Sequence, residues 1–349
     1  MQVEPKKILV IQTAFLGDVV LTTPLLGAIK DGFPKAGLSV LVVPRTKEIL
    51  AGHPAVDEVL VYDKKGDHRG LRGLIRTARL LRSRGFDLCF LPHRSFRSAI
   101  LAYLAGIPRR IGFGRSAGSL LYTDCVVRDQ ARHEVDRNLS LLTPLKIEPA
   151  SAVRHLSVAT DPVAQDSVDR ILKTEGIKPG DCLIGMAPGS VWATKRWLPE
   201  GFAAVADALM DPYQARILLL GSREDETITK EIIARCRQKP VNLAGQPLSE
   251  LVATLSRCRL LITNDNGAMH IGTALGVPIV AVFGSTSPSG GYGPYTKEAE
   301  IVEHTLPCRP CGLHGYRRCP LGHFKCMKEI TPQEVVAAAE KLLANSTRG

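Results

Sequence analysis

The sequence predicts an α/β protein made of two successive domains, each a parallel sheet covered by helices. Three observations lead there. Short apolar runs of strand character alternate with helical patterns along the chain. Loops carrying glycine follow several of those runs. The length, 349 residues, exceeds what one hydrophobic core usually holds.

The first strands are expected at residues 8–12, 38–43, 59–62 and 88–91, all rich in Val, Leu and Ile. Between the last two, Leu71, Leu74, Ile75, Ala78 and Leu81 form an apolar helical stripe, while Arg69, Arg72, Arg76 and Arg79 share another face. Such a basic amphipathic helix suits an anionic membrane surface, or is simply the solvated face of a packing helix. In the second half, strands are expected at 182–187, 216–220, 241–244, 260–264 and 279–283, with helices at 199–210, 225–237, 249–258 and 268–275. A polar, proline-containing stretch at 148–181 marks the junction. Thr331-Pro332-Gln333-Glu334 reads as a capping box with Pro at the first helical position, opening a last helix to about Leu343. The resulting division is 1–160, 161–330 and a helix within 331–349. In such domains ligands sit at the carboxyl ends of the strands, here expected in a cleft between the two sheets.

Charge is unevenly spread. Residues 1–160 hold 24 Lys+Arg and 14 Asp+Glu, a balance of +10, so the remaining 21 of 45 cations face 20 of 34 acids for a balance of +1. Residues 69–110 alone contain ten arginines and one acid, Asp87. The first half should therefore meet something anionic. A nucleic acid is disfavoured, because no RNA- or DNA-binding module is recognisable and only 5% of residues are aromatic. No apolar run approaches the roughly 20 residues that span a bilayer, and the start has no signal-peptide form. A cytoplasmic protein is expected.

Three loops carry chemistry. Thr13-Ala14-Phe15-Leu16-Gly17-Asp18 leaves the first strand with one glycine, so a dinucleotide fingerprint fails; it places the carboxylate of Asp18 at a strand-to-helix turn. A helix N-cap is the plainer role for that Asp, and Pro24 should kink the helix or mark a later start. Ala187-Pro188-Gly189-Ser190 leads through Thr194 to Lys195-Arg196-Trp197, small residues followed by cations, which suits a phosphate. Asn264-Asp265-Asn266-Gly267 precedes a helix carrying His270. A helix N-terminus is an ordinary place for a pyrophosphate. Asp265 would repel one, and so should orient the loop or bond a hydroxyl; His270 alone is more readily a packed histidine.

Together, Gly17-Asp18 with Pro24, Ala187–Ser190 with Lys195-Arg196-Trp197-Leu198-Pro199, and Asn264–Gly267 with His270 resemble the lipopolysaccharide heptosyltransferases of the ADP-heptose family. That resemblance implies a GT-B fold of two Rossmann-like domains facing across a cleft. The first domain would bind acceptor and the second ADP-heptose, with the last helix packing back across their junction. It implies inverting transfer of heptose to a Kdo2-lipid A core at the cytoplasmic face of the inner membrane, with no required cofactor and magnesium as an assistant at most. The match is nearest the branch that adds a second heptose to the first; branches using other core acceptors are the alternative. A noncatalytic nucleotide-sugar-binding protein would share the fold and the donor loops.

Carried over by position, Asp18 is the general base and Lys195 stabilises the departing diphosphate. Ser190, Thr194, Asp265, Asn266, Gly267 and His270 bind donor, as does an acid after Gly221, either Glu224 or Asp225. The family often has Thr where this chain has Asn266. From the basic first half, Arg94 and Arg97 are the candidates to meet acceptor oxyanions.

Nine cysteines need their own account. Cys308, Cys311, Cys319 and Cys326 give C-x2-C-x7-C-x6-C with His314 and His323 interleaved. A structural zinc site or a reduced, partly buried loop both fit that spacing. Cys89, Cys182, Cys236 and Cys258 fall in apolar patterns and read as core.

Overall fold

The structure, a computed structural model, describes residues 4–148, 154–312 and 314–345. It divides into two compact units, Met1–Ala159 and Thr160–Gly349. In the first, strands β1 (Lys7–Ile11), β2 (Gly37–Val42), β3 (Glu58–Val61), β4 (Leu88–Leu91), β5 (Arg109–Phe113) and β6 (Asp124–Val126) pair in parallel in the order 3-2-1-4-5-6. In the second, β7 (Cys182–Ala187), β8 (Ala215–Leu219), β9 (Val241–Asn242), β10 (Leu260–Asn264), β11 (Ile279–Val282) and β12 (Ala299–Val302) pair in the order 12-11-10-7-8-9. Counted from its own first strand, the second sheet repeats the topology of the first. In each, the strand order reverses beside the unit's first strand, between β1 and β4 and between β7 and β10, which is where doubly wound sheets open a ligand crevice.

Helices of the first unit are α1 (Leu16–Val20), α2 (Thr23–Gly32), α3 (Gly70–Arg84), α4 (Phe96–Leu104) and α5 (Glu134–Ser140). Pro24 resolves as a new start, near the amino end of α2, where its missing N–H costs nothing. Helix α3 buries Gly73, Leu74, Thr77, Ala78 and Leu81 and turns its arginines outward. Leu74, Ala78 and Leu81 join Ala99, Leu101 and Ala102 of α4 over β1 and β4 in one core cluster. Gly85 ends α3 at φ 66°, the left-handed conformation that glycine adopts without strain.

The second unit adds α6 (Pro162–Thr174), α7 (Pro199–Tyr213), α8 (Glu226–Arg235), α9 (Leu248–Leu255), α10 (Gly267–Ala274), α11 (Lys325–Lys328) and α12 (Pro332–Asn345). Thr331 opens α12 as its sequence requires. Its N–H and hydroxyl donate to Glu334 Oε2 at 2.7 and 2.8 Å, and its Oγ1 accepts the Glu334 N–H at 3.3 Å. Val335, Ala339, Leu342 and Leu343 of α12 are buried in the core of this second unit; residues 346–349 lie outside the described residues. Of the cysteines read as core, Cys89 and Cys258 are buried, whereas Cys182 and Cys236 are half-buried at its margin.

Candidate functional site

At the first switch point the chain leaves β1 through Gln12 and Thr13 and enters α1 by a tight turn. Asp18 sits in the first turn of α1, and its Oδ2 accepts the Phe15 N–H at 3.1 Å. The carboxylate thus caps the helix from inside the first turn, while Phe15 holds the N-cap position expected of an Asp. Thr13 is the hub of the loop. Its hydroxyl lies 3.3 Å from both His93 Nδ1 and Ser98 Oγ, and its carbonyl accepts Lys64 Nζ at 2.8 Å.

Cations crowd around this loop. Burial, together with Arg45, Lys65 and Arg97, pushes the Lys64 ammonium below its ordinary pKa. Burial, followed by Lys64 and Arg94, pushes His93 down to about 4, so its imidazole is neutral at physiological pH. The Arg45 guanidinium lies 5.4 Å from the Phe15 ring centroid. These cations follow the carboxyl ends of β2, β3 and β4, and an anion at this end of the sheet would relieve their mutual repulsion.

Of the two arginines named from sequence, Arg94 is exposed. Arg97 is engaged inside the protein. It donates to the Tyr62 hydroxyl and to the carbonyls of His68 and Gly70 at 3.3 and 3.1 Å, fixing the turn that starts α3. Lys64, Arg45 and His93 were missed. Their signal, basic residues just past predicted strands, was present but no more pronounced than the arginine run downstream.

The second switch point is held more tightly. Asn264 Oδ1 accepts the Trp197 N–H at 3.1 Å, and its Nδ2 donates to the Pro188 carbonyl at 2.7 Å. Asn266 is the N-cap of α10, accepting the Met269 N–H at 3.2 Å, and its Nδ2 donates to the carbonyls of Ala187 (3.1 Å) and Gly189 (2.7 Å). Two asparagine side chains therefore staple the loop after β10 to the loop after β7. Asn266 acts on the loop rather than offering its amide outward.

Between these staples lies a buried ion pair, Lys195 Nζ to Asp265 Oδ2 at 2.6 Å, with the Thr286 hydroxyl donating to the same oxygen at 2.7 Å. Asp265 thus orients the loop, as its charge required, and holds the ammonium at the positive end of the α10 dipole. Ser190 donates to the Asp265 carbonyl at 3.4 Å, and Arg196 Nε to the Ser190 carbonyl at 2.7 Å. Gly267 is the first residue of α10, and His270, one turn in, is buried. Asp225 closes a capping box on Ser222, leaving Glu224 as the exposed acid of that turn. A Cβ at Gly189 would come within 2.2 Å of the Asp225 carboxyl, so only glycine lets the two loops approach this closely. Trp197 is 1% exposed and packs edge-on against Phe202; it anchors the loop in the core.

Thr194, named from sequence as a donor contact, is buried and braced by the cysteine-bearing segment. Its N–H donates to the Tyr316 carbonyl at 3.1 Å, its Oγ1 accepts the Tyr316 N–H at 2.8 Å, and its hydroxyl shares a 2.9 Å hydrogen bond with Ser285. Arg309, between the first two clustered cysteines, binds the carbonyls of Phe283, Gly284 and Thr286. The segment thus clamps both loops that flank Lys195 and Thr286. Cys308 Sγ lies 3.9 Å from His323 Nε2, and Cys311 Sγ 3.2 Å from the Cys308 carbonyl. Among the described residues, no three His, Cys, Asp or Glu side chains are gathered as an ion-holding set, and all nine cysteines are free thiols.

The first switch point offers a carboxylate within a basic field, and the second a cation held beside a helix N-terminus. The model of glycosyltransferase family 9 (heptosyltransferase) matches residues 74–318. The lipooligosaccharide heptosyltransferase 2 of Haemophilus ducreyi is 30% identical over 357 residues, spanning 97% of this chain and 99% of that protein. Among solved structures, a family 9 glycosyl transferase from Veillonella parvula is 29% identical, with a TM-score of 0.89 and 99% of each chain covered. The Escherichia coli ADP-heptose lps heptosyltransferase II is 25% identical, with a TM-score of 0.78 over 97% of this chain and 99% of that one.

Proposed function

Because the chain belongs to glycosyltransferase family 9, the heptosyltransferases, we propose that it moves heptose from ADP-heptose onto the first heptose of a Kdo2-lipid A core, the second heptose transfer of lipopolysaccharide assembly. The observation that carries this reading is the buried Lys195–Asp265–Thr286 cluster at the amino end of α10. It supports a diphosphate site because the cation is already desolvated and aimed, so little reorganisation is needed as charge develops on the leaving group.

The proposed reaction is a single displacement. The acceptor hydroxyl oxygen bonds to the anomeric carbon as the bond from that carbon to the β-phosphate oxygen breaks. The hydroxyl proton passes to the carboxylate of Asp18, and ADP leaves as an anion opposite Lys195. Attack from the face opposite the leaving group inverts the anomeric centre. Glu224, exposed at the turn after β8, is assigned to the nucleoside, and His270, buried in α10, to shaping the donor loop. Lys64, Arg45 and Arg94 join the acceptor side, where the core glycolipid's phosphates and Kdo carboxylates give them counter-ions. Arg97 acts through the turn it fixes. No described helix is long and apolar enough to cross a membrane. A lipid-anchored acceptor would instead bring the enzyme to the cytoplasmic face of the inner membrane as a peripheral protein.

The test is incubation with ADP-heptose and a series of truncated core glycolipids, read by mass. One heptose added to the heptose-terminated acceptor alone is expected. Addition directly to Kdo would assign the first transfer, and addition only to a core already carrying two heptoses a later one.

A further inference from the structure

The outward face of α3 and α4 combines two properties that water alone does not favour. On α3, Leu71 and Leu80 are 70% and 44% exposed, beside the exposed guanidiniums of Arg72, Arg76 and Arg79. Helix α4 packs alongside α3 and exposes Phe96, Tyr103 and Leu104. The turn at Ser119–Leu121 lies against α4, close enough that a Cβ on Gly118 would come within 2.2 Å of the Ala99 side chain. That turn presents Leu120 with 99% of its surface in solvent.

Most acids of the region are already committed, with Asp67, exposed in the turn before α3, the exception. Glu58 pairs with Arg84 and Asp124 with Arg109, while Asp87 accepts the backbone N–H groups of Lys6 and Lys7. The positive charge of the face is therefore left for something outside the fold. Separately exposed leucines among arginines match the boundary between headgroups and acyl chains, where leucine enters the apolar edge and arginine meets lipid phosphate.

We propose that the outer face of α3, α4 and the Leu120 turn docks on an anionic lipid bilayer, with Leu71 and Leu120 entering the headgroup boundary and Arg72, Arg76 and Arg79 meeting lipid phosphates. This rests on the membrane-anchored acceptor of the reading above and names the surface that brings the enzyme to it. It commits to lipid over a second copy of the chain because an excess of like charge would repel its own copy.

The full chain is sedimented with phosphatidylcholine vesicles with and without phosphatidylglycerol. The wild type should bind the anionic vesicles and release them as salt rises. Arg72→Gln, Arg76→Gln and Arg79→Gln combined should weaken binding about a hundredfold or more, and Leu71→Ser with Leu120→Ser about tenfold. The second variant alters only solvent-exposed side chains, so it decides the matter if the first fails to fold. Transfer to a deacylated, water-soluble acceptor is measured alongside and should be unchanged in both. Undiminished vesicle binding by a folded variant overturns the proposal. So does a variant whose only change is loss of self-association, which would give the face to a second copy. Absence of transfer in the wild type would instead sink the catalytic reading and leave the vesicle result standing.

Discussion

The two sheets share one strand order, yet their switch points are built in opposite ways. At the first, the loop from Thr13 to Asp18 is tied through Thr13 and the Asp18–Phe15 capping contact, and is surrounded by cations that repel one another. At the second, two asparagines tie strand-end loops together and the largely buried Lys195 already has its counter-ion. The same topology thus carries a loop ringed by cations and a loop braced by its own side chains. A large, variable, charged acceptor suits the first, and a small nucleotide diphosphate suits the second.

Lys195→Ala breaks the second region most severely. It removes the charge proposed to face the leaving group and strands Asp265 in a buried position beside Thr286. Transfer should fall about 10²–10³-fold, and stability by about 3 kcal/mol or more. Thermal melts beside steady-state kinetics check both, and Asp265→Asn should restore much of the stability and none of the rate. An unchanged melting temperature would mean that the ion pair is not desolvated as described.

Asn266→Ala and Thr13→Val sharpen the contrast by removing one loop tie from each region. Asn266 gives up an N-cap and two carbonyl contacts, so about 2 kcal/mol is expected. Thr13 gives up one hydroxyl with two neutral partners, and about 1 kcal/mol is expected. Denaturant titration ranks them, and the reverse order would contradict the account of which loop is braced.

Acid sensitivity should belong to the first unit, where His93 borders the Thr13 loop and His53, buried in the turn before β3, bonds the Ser157 hydroxyl. Burial holds His53 at about 4, and burial with neighbouring cations holds His93 at about 4, against 6.5 when unfolded. The unfolded chain takes up these protons first. Their stability is therefore complete above pH 6.5, is lost progressively as pH falls towards 4, and changes no further below. Each contributes on the order of 2–3 kcal/mol over that window. Melting across it, with His53→Asn as the comparison, should show a flatter slope in the variant.

The strands at the switch points were legible because they are short and mainly apolar, and β1, β7 and β10 lead into glycine-bearing loops; β10 matches its expected bounds of 260–264. The edge strands β6 and β12 and their neighbour β5 were not, since Asp124, Glu300 and Arg109-Arg110 break the apolar pattern that burial on both faces would impose. Lys195, Asp265 and Asn266 could be singled out because residue type and loop position agree. What each one touches was not readable, because it depends on neighbours far along the chain: Thr286 for Asp265, Ala187 for Asn266, Tyr316 for Thr194. For the same reason Trp197 looked like part of a ligand loop, and only its packing against Phe202 and Gly201 reveals an anchor.

The most direct measurement is heptose transfer and ADP affinity for Asp18→Asn. This substitution keeps the shape of the side chain and an oxygen able to accept the Phe15 N–H, while removing the base. Transfer should drop by about 10²–10⁴-fold with ADP affinity intact. Wild-type transfer by that variant would contradict the assignment of Asp18 as the group that takes the acceptor proton.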